Sequence, residues 1–282
     1  MDTIERIHGS VIQHGPHNNR IYLMQLDMEK SHLLLPFLER LAGEKGYTKI
    51  FARIPAFSWS VFAEAGYIKE GVVPGFFQGN VDGIFSARYL SERRRKDQMD
   101  PELLGLIRGS KRPLASAGKK DISLPPNVEV VQCAPADTST MSSIYRNIFA
   151  TYPFPVDQPQ YLEKNMGANV LYFSIRVNGE IAALASAELD PDNSNAEMTD
   201  FATRKQWRGR GFARELLRHM HEQARQRGVK TAYTIARARS YGMNRVFQRE
   251  GYTYGGFFPN NTQIAGSIES MTLWYKHLGN DS

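Results

Sequence analysis

The chain has 282 residues, 41% of them hydrophobic and 11% aromatic, enough to bury the core of one large domain or two small ones. That composition excludes a globally disordered or fibrous protein, and no stretch reaches the roughly 20 uninterrupted apolar residues of a membrane helix. The net charge of +6 is local: residues 91–120 carry net +5, residues 204–227 carry net +6, and the remainder is net −5, a pattern suited to local anionic contacts rather than to coating nucleic acid.

One cysteine, Cys133, leaves no internal disulfide and no cysteine-based zinc site. The N-terminus lacks the basic-then-apolar layout of a leader, so the expected location is cytoplasmic, without membrane contact. No metal is expected, since the loop spacing of His8, His14 and His17 does not define a ligand set.

In chain order, an N-terminal block (1–96) is echoed in the C-terminal half of the chain. LLPFLERLAGEKGYTKIFARIPA (34–56) parallels LLRHMHEQARQRGVKTAYTIARA (216–238), FAEAGY (62–67) parallels FQREGY (247–252), and GFF recurs at 75–77 and 256–258. Three matches in order point to a duplicated half-domain. Residues 97–126 mix charge, Gly, Ser and Pro125-Pro126 around Leu103, Leu104, Leu106 and Ile107, and read as a basic linker bearing one helix. The run Arg93-Arg94-Arg95-Lys96, without interleaved aromatics, reads as a solvated face rather than a nucleic-acid contact.

The block 127–282 opens with strand-like VEVVQC (128–133), then helical spacing at Met141, Ile144 and Ile148, the turn-rich TYPFPVDQP, and a short helix near Tyr161–Met166. LYFSIRV and EIAALASAEL flank an Asn178-Gly179 hairpin turn, and PDNSN leads into the strand AEMTDFAT. A glycine-containing loop comes next, then a helix with Phe212, Leu216, Met220 and Ala224 at four-residue spacing, the strand TAYTIAR, a helix ending at Gly251, and two final strands.

The loop carries the chemistry. Gly209 and Gly211 in Gln206-Trp207-Arg208-Gly209-Arg210-Gly211-Phe212-Ala213 free the backbone to aim N–H groups outward, and the next helix adds unpaired donors at its positive end. Arg204, Lys205, Arg208, Arg210 and Arg214 surround this cradle, which suits a diphosphate. The first copy has Asp27-Met28-Glu29-Lys30 there, and so lacks a phosphate cradle.

Gln-x-x-Gly-x-Gly after a strand, with Phe-x-x-x-Gly-Tyr about 35 residues on, resembles the GNAT N-acetyltransferase family over residues 127–278. The resemblance implies an α/β fold, a mixed GNAT-type sheet flanked by helices and splayed open between AEMTDFAT and TAYTIAR, here preceded by a degenerate half-copy. It implies acetyl-CoA as cosubstrate, held by Phe201, Thr203, Gln206, Arg208, Gly209, Arg210, Gly211, Phe212, Ala213, Ser240 and Phe247. The whole-chain layout, with YLMQLD, FARIPA, TYPFP and EMTDFATRKQWRGRG, is similar to one branch of that family, the β-lysine N6-acetyltransferases. A small-molecule amine partner is implied, attacking directly in a ternary complex.

An amine acceptor titrating near 10.4 must lose a proton. Glu197 is the expected proton relay and Asp200 the ammonium anchor or a structural partner, although strict alternation puts them on opposite faces of one strand, Glu197 with Thr199 and Phe201, Asp200 with Met198 and Ala202. Backbone N–H groups around Phe201–Thr203 are the expected oxyanion donors. The family's usual tyrosine acid is replaced by Phe247, and Ser240 stands where Asn is common; Tyr241, which opens the same helix, is the preferred substitute acid, with Tyr252 and solvent as alternatives. Tyr152, Phe154 and Tyr161 are candidates for the acceptor wall or for plain core. Competing readings are a protein or other metabolite amine as acceptor, and a non-catalytic acyl-CoA sensor.

Overall fold

In the N-terminal half of the computed structural model, which describes residues 2–110 and 125–279, β1 (Thr3–Ile7), β2 (Ser10–Gly15) and β3 (Arg20–Gln25) form a meander. Helix α1 (Ser31–Lys45) crosses to β4 (Lys49–Pro55), and α2 (Trp59–Glu64) leads into the hairpin β5 (Ile68–Phe77) and β6 (Val81–Tyr89). A single helical turn, α3 (Glu92–Arg95), and α4 (Pro101–Ser110) come after it.

The second half has β7 (Val128–Gln132), α5 (Thr138–Ile148) and α6 (Pro159–Met166), then the meander β8 (Val170–Val177), β9 (Glu180–Asp190) and β10 (Asn195–Thr203). It closes with α7 (Phe212–Gln226), β11 (Thr231–Arg237), α8 (Tyr241–Arg249) and the hairpin β12 (Thr253–Ile264) and β13 (Ser267–His277).

The thirteen strands among the described residues join one mixed sheet, in the order β1-β2-β3-β4-β6-β5-β12-β13-β11-β10-β9-β8-β7. From either side the sequence is the same: a meander, a parallel crossover, then a hairpin whose first strand lies innermost. The halves meet where β5 pairs with β12 at Gly71 and Gly256, which the FAEAGY/FQREGY alignment makes equivalent. Register breaks also coincide, Lys69/Gly71 with Tyr254/Gly256 and Val73/Phe77 with Phe258/Thr262. That equivalence corrects the GFF match, because Gly71 rather than Gly75 takes the place of Gly256.

Glycine at this seam is a matter of space. A β-carbon on Gly256 would lie 2.3 Å from the Glu70 carbonyl oxygen and 2.5 Å from the Gly71 Cα. Backbone cannot yield as a side chain does, so Gly256→Val is expected to cost about 2–3 kcal/mol and lower Tm by about 5 °C or more. An unchanged melting curve would mean that the seam accepts a side chain.

Four cores explain the layering. Helices α1 and α2 cover one face of the first half through Leu34, Leu38 and Phe62. In the second half α7, α8 and α4 cover one face, and the buried Phe212, Leu216, Met220 and Ala224 of α7 follow the four-residue spacing. Helices α5 and α6 bring Met141, Ile144, Tyr145 and Leu162 to Tyr172 and Leu184. The fourth core is shared by both halves: Tyr22, Phe51, Phe76 and Phe85 join Tyr233, Phe258, Met271 and Leu273.

Two linker expectations change. Leu103, Leu106 and Ile107 are buried and the Gln248 amide donates to the Leu106 carbonyl at 3.0 Å, so α4 is part of the packed body; residues 111–124 lie outside the described residues. Arg94 is buried rather than solvated, donating to the carbonyls of Asn260 (2.6 Å) and Asn18 (2.7 Å) and tying the two halves together. Among the described residues no helix is long and apolar enough to cross a membrane.

Candidate active site

Strands β10 and β11 run parallel for three pairs, Asn195 with Thr231, Ala196 with Ala232 and Glu197 with Tyr233, and then part. Beyond that point β10 continues beside β9 and β11 beside β13. The sheet therefore opens into a V at Glu197, between the two strands expected. Every second N–H of β10 past Glu197 points to the edge without a strand partner.

Strand β10 bulges between Thr199 and Ala202, where Asp200 takes the left-handed conformation with φ 56°. A bulge inserts one residue against the partner strand and resets which way the subsequent side chains point. Asp200 consequently shares a cavity wall with Glu197 and Thr199. Phe201 goes to the helix side, its ring centroid 5.7 Å from that of Phe247. Strict alternation is thus corrected: the two carboxylates face one space.

That space is a cavity of about 740 Å³ between the two halves of the sheet. Its walls include Tyr22, Phe51 and Arg53 from the first half and Glu188, Glu197, Asp200 and Tyr233 from the second. Tyr152, Pro153 and Phe154 line it too, whereas Tyr161 packs in the core under α5 and α6.

Three carboxyl groups meet there. Asp200 accepts from the Tyr152 hydroxyl and from Ser186 Oγ, both at 2.6 Å, so its two oxygens are fixed in direction. Glu188 stands opposite Glu197 in the β9–β10 register, with its side chain exposed at the cavity wall. Arg53 donates through Nη1 to the Tyr233 hydroxyl (2.8 Å) and through Nη2 to the Met24 carbonyl (2.7 Å). With its oxygen occupied by Arg53, Tyr233 directs its own proton to Glu197.

Burial pushes the Glu197 carboxyl up to about 7, against the opposing pull of the Arg53 charge and the Tyr233 hydrogen bond. Burial, and the charges of Asp200 and Glu197, hold Glu188 well above the ordinary carboxylate range. Asp200 is raised by burial and restrained by its bonds from Ser186 and Tyr152. Crowded carboxyls that cannot all ionise together form a site for a cation and its proton.

On the other side of the V, Lys205–Trp207 make one tight turn, and Gly209 (φ 78°) and Gly211 (φ 82°) adopt left-handed conformations at the start of α7. A β-carbon on either would meet no protein atom within 4 Å, so the loop faces open space. Gln206, Arg208 and Arg210 are exposed, Ala213 is half-buried, and Phe212 is buried as the helix anchor. Arg208 Nε donates to the Thr203 carbonyl at 3.2 Å, and the Arg210 guanidinium lies 4.6 Å from the Trp207 ring centroid. The donor set and the open approach fit a diphosphate. Arg214, expected among the cradle's cations, is instead bound to Glu250, which also accepts from Arg218 Nε at 3.0 Å.

Residues 140–252 match the acetyltransferase (GNAT) family. The chain is 34% identical over 282 residues to the β-lysine N(6)-acetyltransferase of Methanococcus maripaludis, covering 98% of this chain and 99% of that protein. The chain belongs to the GNAT acetyltransferase family. This GNAT enzyme is also 31% identical over 271 residues to the N-acetyltransferase YodP of Bacillus subtilis, covering 95% of this chain and 96% of that one. With the β-lysine N(6)-acetyltransferase of Methanosarcina mazei it shares 32% identity over 258 residues, covering 86% of this chain and 95% of that protein. It is an acetyl-CoA-dependent N-acetyltransferase with the mixed, splayed sheet that the resemblance implies.

The remaining expected residues of this GNAT enzyme lie on the helix side. Ser240 stands just before α8 without a side-chain capping bond, and its backbone carbonyl accepts from Asn244 Nδ2 at 2.9 Å. Phe247 is buried, its ring 5.3 Å from that of Tyr252. The Tyr241 hydroxyl donates to Asp100 at the start of α4, and the Tyr252 hydroxyl pairs with His221 Nε2 at 2.8 Å. Neither tyrosine lines the cavity, so the structure does not bring Tyr241 together with Glu197 and Asp200.

Glu188, Arg53 and Tyr233 escaped sequence reading. Glu188 carried a signal, an acidic residue ending an otherwise apolar strand, but its partner depends on the register set by the turn at 191–194.

Proposed function

We propose that this GNAT enzyme acetylates the N6 amine of β-lysine, with residues 127–282 as the catalytic domain and residues 1–96 as a degenerate half-domain that closes the acceptor site. The observation that carries the reading is the convergence of Glu188, Glu197 and Asp200 on one cavity at the mouth of the V, with first-half residues forming the opposite wall. Such an enclosed space suits a free amino acid better than a protein tail. The names of the relatives from Methanococcus maripaludis and Methanosarcina mazei support the same acceptor.

In the assigned mechanism Asp200, aimed by Tyr152 and Ser186, holds the substrate ammonium. Glu197, poised near neutrality, takes its proton. Acetyl-CoA, when bound, supplies the electrophilic thioester carbonyl. The unpaired N–H groups of β10 around Phe201–Thr203 face developing negative charge without reorganising. The Gly209–Gly211 backbone holds the diphosphate, with Gln206, Arg208, Arg210, Phe212 and Ala213 shaping the loop and Ser240 and Phe247 the adjoining wall. Tyr241 is bound to Asp100 away from the cavity, so the leaving thiolate, with a conjugate acid near 8.5, takes its proton from solvent.

Free-thiol release from acetyl-CoA tests the reading on β-lysine, lysine, ornithine and a lysine-containing peptide. The expected order places β-lysine first by about tenfold or more, with the acetyl group on N6 by NMR. Equal or faster turnover of the peptide would overturn it.

A further inference from the structure

At the end of the cavity away from Glu197, β3 and β12 bring two unsatisfied groups together. Arg20 lines the cavity and is only 4% exposed, yet among the described residues no carboxylate lies within ion-pair distance of it. Its Nη1 donates to neutral groups, the Asn261 carbonyl at 2.6 Å and Thr262 Oγ1 at 3.1 Å, while its buried Nε has no partner. The guanidinium carbon sits 5.3 Å from the Tyr22 ring and 5.7 Å from the Phe51 ring. Aromatic faces hold a cation in place without neutralising it.

The acids whose charge reaches Arg20 are already used. Asp2 accepts from the Asn18 amide at 2.6 Å, Glu70 receives Lys49 Nζ at 3.1 Å and the Tyr89 hydroxyl, and Arg94 adds another positive charge close by. A buried guanidinium without a counter-ion is strongly disfavoured, so this end of the cavity is complementary to an anion.

Asn261 supplies the second half of the pattern. It is 1% exposed, lines the same cavity, and its side-chain carbonyl Oδ1 is buried without a hydrogen-bond partner. It stands in the β12 register break between Phe258 and Thr262, and its backbone carbonyl is the one that Arg20 contacts. A cation with an unpaired donor and a side chain with an unpaired acceptor therefore line one cavity, joined through the Arg20 Nη1 contact to the Asn261 backbone carbonyl.

We propose that Arg20 and Asn261 form a receptor for the head of a diamino acid, with Arg20 taking the carboxylate and Asn261 Oδ1 the ammonium beside it. The inference rests on the reading of the enzyme as a diamino-acid acetyltransferase and deepens it. The cavity is polarised: the end built by β3 and β12 accepts the zwitterionic head, and the end built by β9 and β10 accepts the distal ammonium beside the V. Holding the near amine at Asn261 leaves the distal amine as the one that reaches Glu197. Regiochemistry is set by the far wall rather than by the reacting groups.

Three acceptors separate the contacts: β-lysine, its carboxamide, and 6-aminohexanoate, which lacks the near amine. With the wild-type enzyme kcat/KM is expected to fall about 100-fold from β-lysine to its amide and about 10-fold to 6-aminohexanoate, mostly through KM. In Arg20→Gln the amide penalty collapses to about threefold or less, and in Asn261→Ala the 6-aminohexanoate penalty does the same, because the group that read the difference is gone. Arg20→Lys, which keeps a cation but loses the fork, restores part of the discrimination.

Wild-type turnover of the amide equal to that of β-lysine would overturn the receptor while leaving diamine acetylation standing, and this arm needs no variant to fold. A folded Arg20→Gln enzyme with undiminished discrimination overturns it as well. Thiol release with peptides but with no free diamine removes the underlying reading and the receptor with it.

Discussion

Glu197→Gln is expected to lower kcat/KM for the amine by about 10²–10⁴-fold and to change the shape of the pH profile. Glutamine keeps the volume and the hydrogen bond from Tyr233 but cannot take a proton. In the wild-type enzyme Glu197 must be ionised to act, and burial holds it near 7, so activity rises with pH through that value. Because Asp200 holds the charged amine, wild-type activity levels off above that rise and falls as the ammonium is lost near 10.4. The variant, with no base to take the proton, should lose the rise near 7 and climb only as free amine appears toward 10.4.

Arg53 supplies a sign test of the same assignment. Its charge pulls the Glu197 carboxyl down, so Arg53→Met moves the rise near 7 to higher pH, while Asp200→Asn acts mainly on KM for the amine. Free-thiol release measured from pH 5.5 to 10 reads all three. Persistence of the rise near neutrality in Glu197→Gln would assign the proton to another group, and Glu188 would be next in line.

What sequence could read was local. The glycine turn before α7, the spacing of α7 and the repeat each depend on residues close together along the chain; the turn and the spacing recur in the structure, while Arg214 turns away to Glu250 and the GFF match shifts to Gly71. Glu197 stood out as a candidate because the family resemblance implies a base on the strand before such a loop. The bulge at Asp200 was not, because no glycine or proline marks it and only the mismatch with β9 creates it. Asp is one of the few residues that tolerate the left-handed region. Arg53, Glu188 and Arg20 line one cavity only because the two sheet halves join, through the β5–β12 pairing at Gly71 and Gly256, and no local motif marks them. The expected linker helix is present, but its packing was missed for a related reason: Leu103, Leu106 and Ile107 did signal burial, while the charge and glycine around them pointed the other way.

On the proposed reading, duplication lets the first half serve the acceptor without serving acetyl-CoA. Residues 26–30 connect β3 to α1, where the second copy uses 204–211, and the Asp27 carboxylate there accepts from the Glu29 amide at 3.1 Å. The short loop closes on itself. Tyr22 and Gln25 occupy the β3 positions that correspond to Glu197 and Asp200 when the parallel pairs Tyr22–Phe51 and Glu197–Tyr233 are superposed. On the proposed reading one copy carries the proton chemistry, and the other presents the same sheet face as a cavity wall.

Gly211→Glu is expected to weaken acetyl-CoA binding by at least about 100-fold while leaving the fold intact. The two effects separate because of where the side chain goes. A β-carbon at Gly211 would meet no protein atom within 4 Å, so the packed body does not resist it. The φ of 82° costs a non-glycine residue about 1–2 kcal/mol, which a chain with four hydrophobic cores tolerates. That open space is the approach of the diphosphate, and a carboxylate there both fills it and repels it. Gly211→Ala, adding bulk without charge, should weaken binding by about tenfold, so the pair divides steric from electrostatic exclusion. Calorimetric titration with acetyl-CoA, beside a melting curve for each variant, is the measurement; wild-type affinity in a folded Gly211→Glu protein would place the diphosphate somewhere other than on this loop.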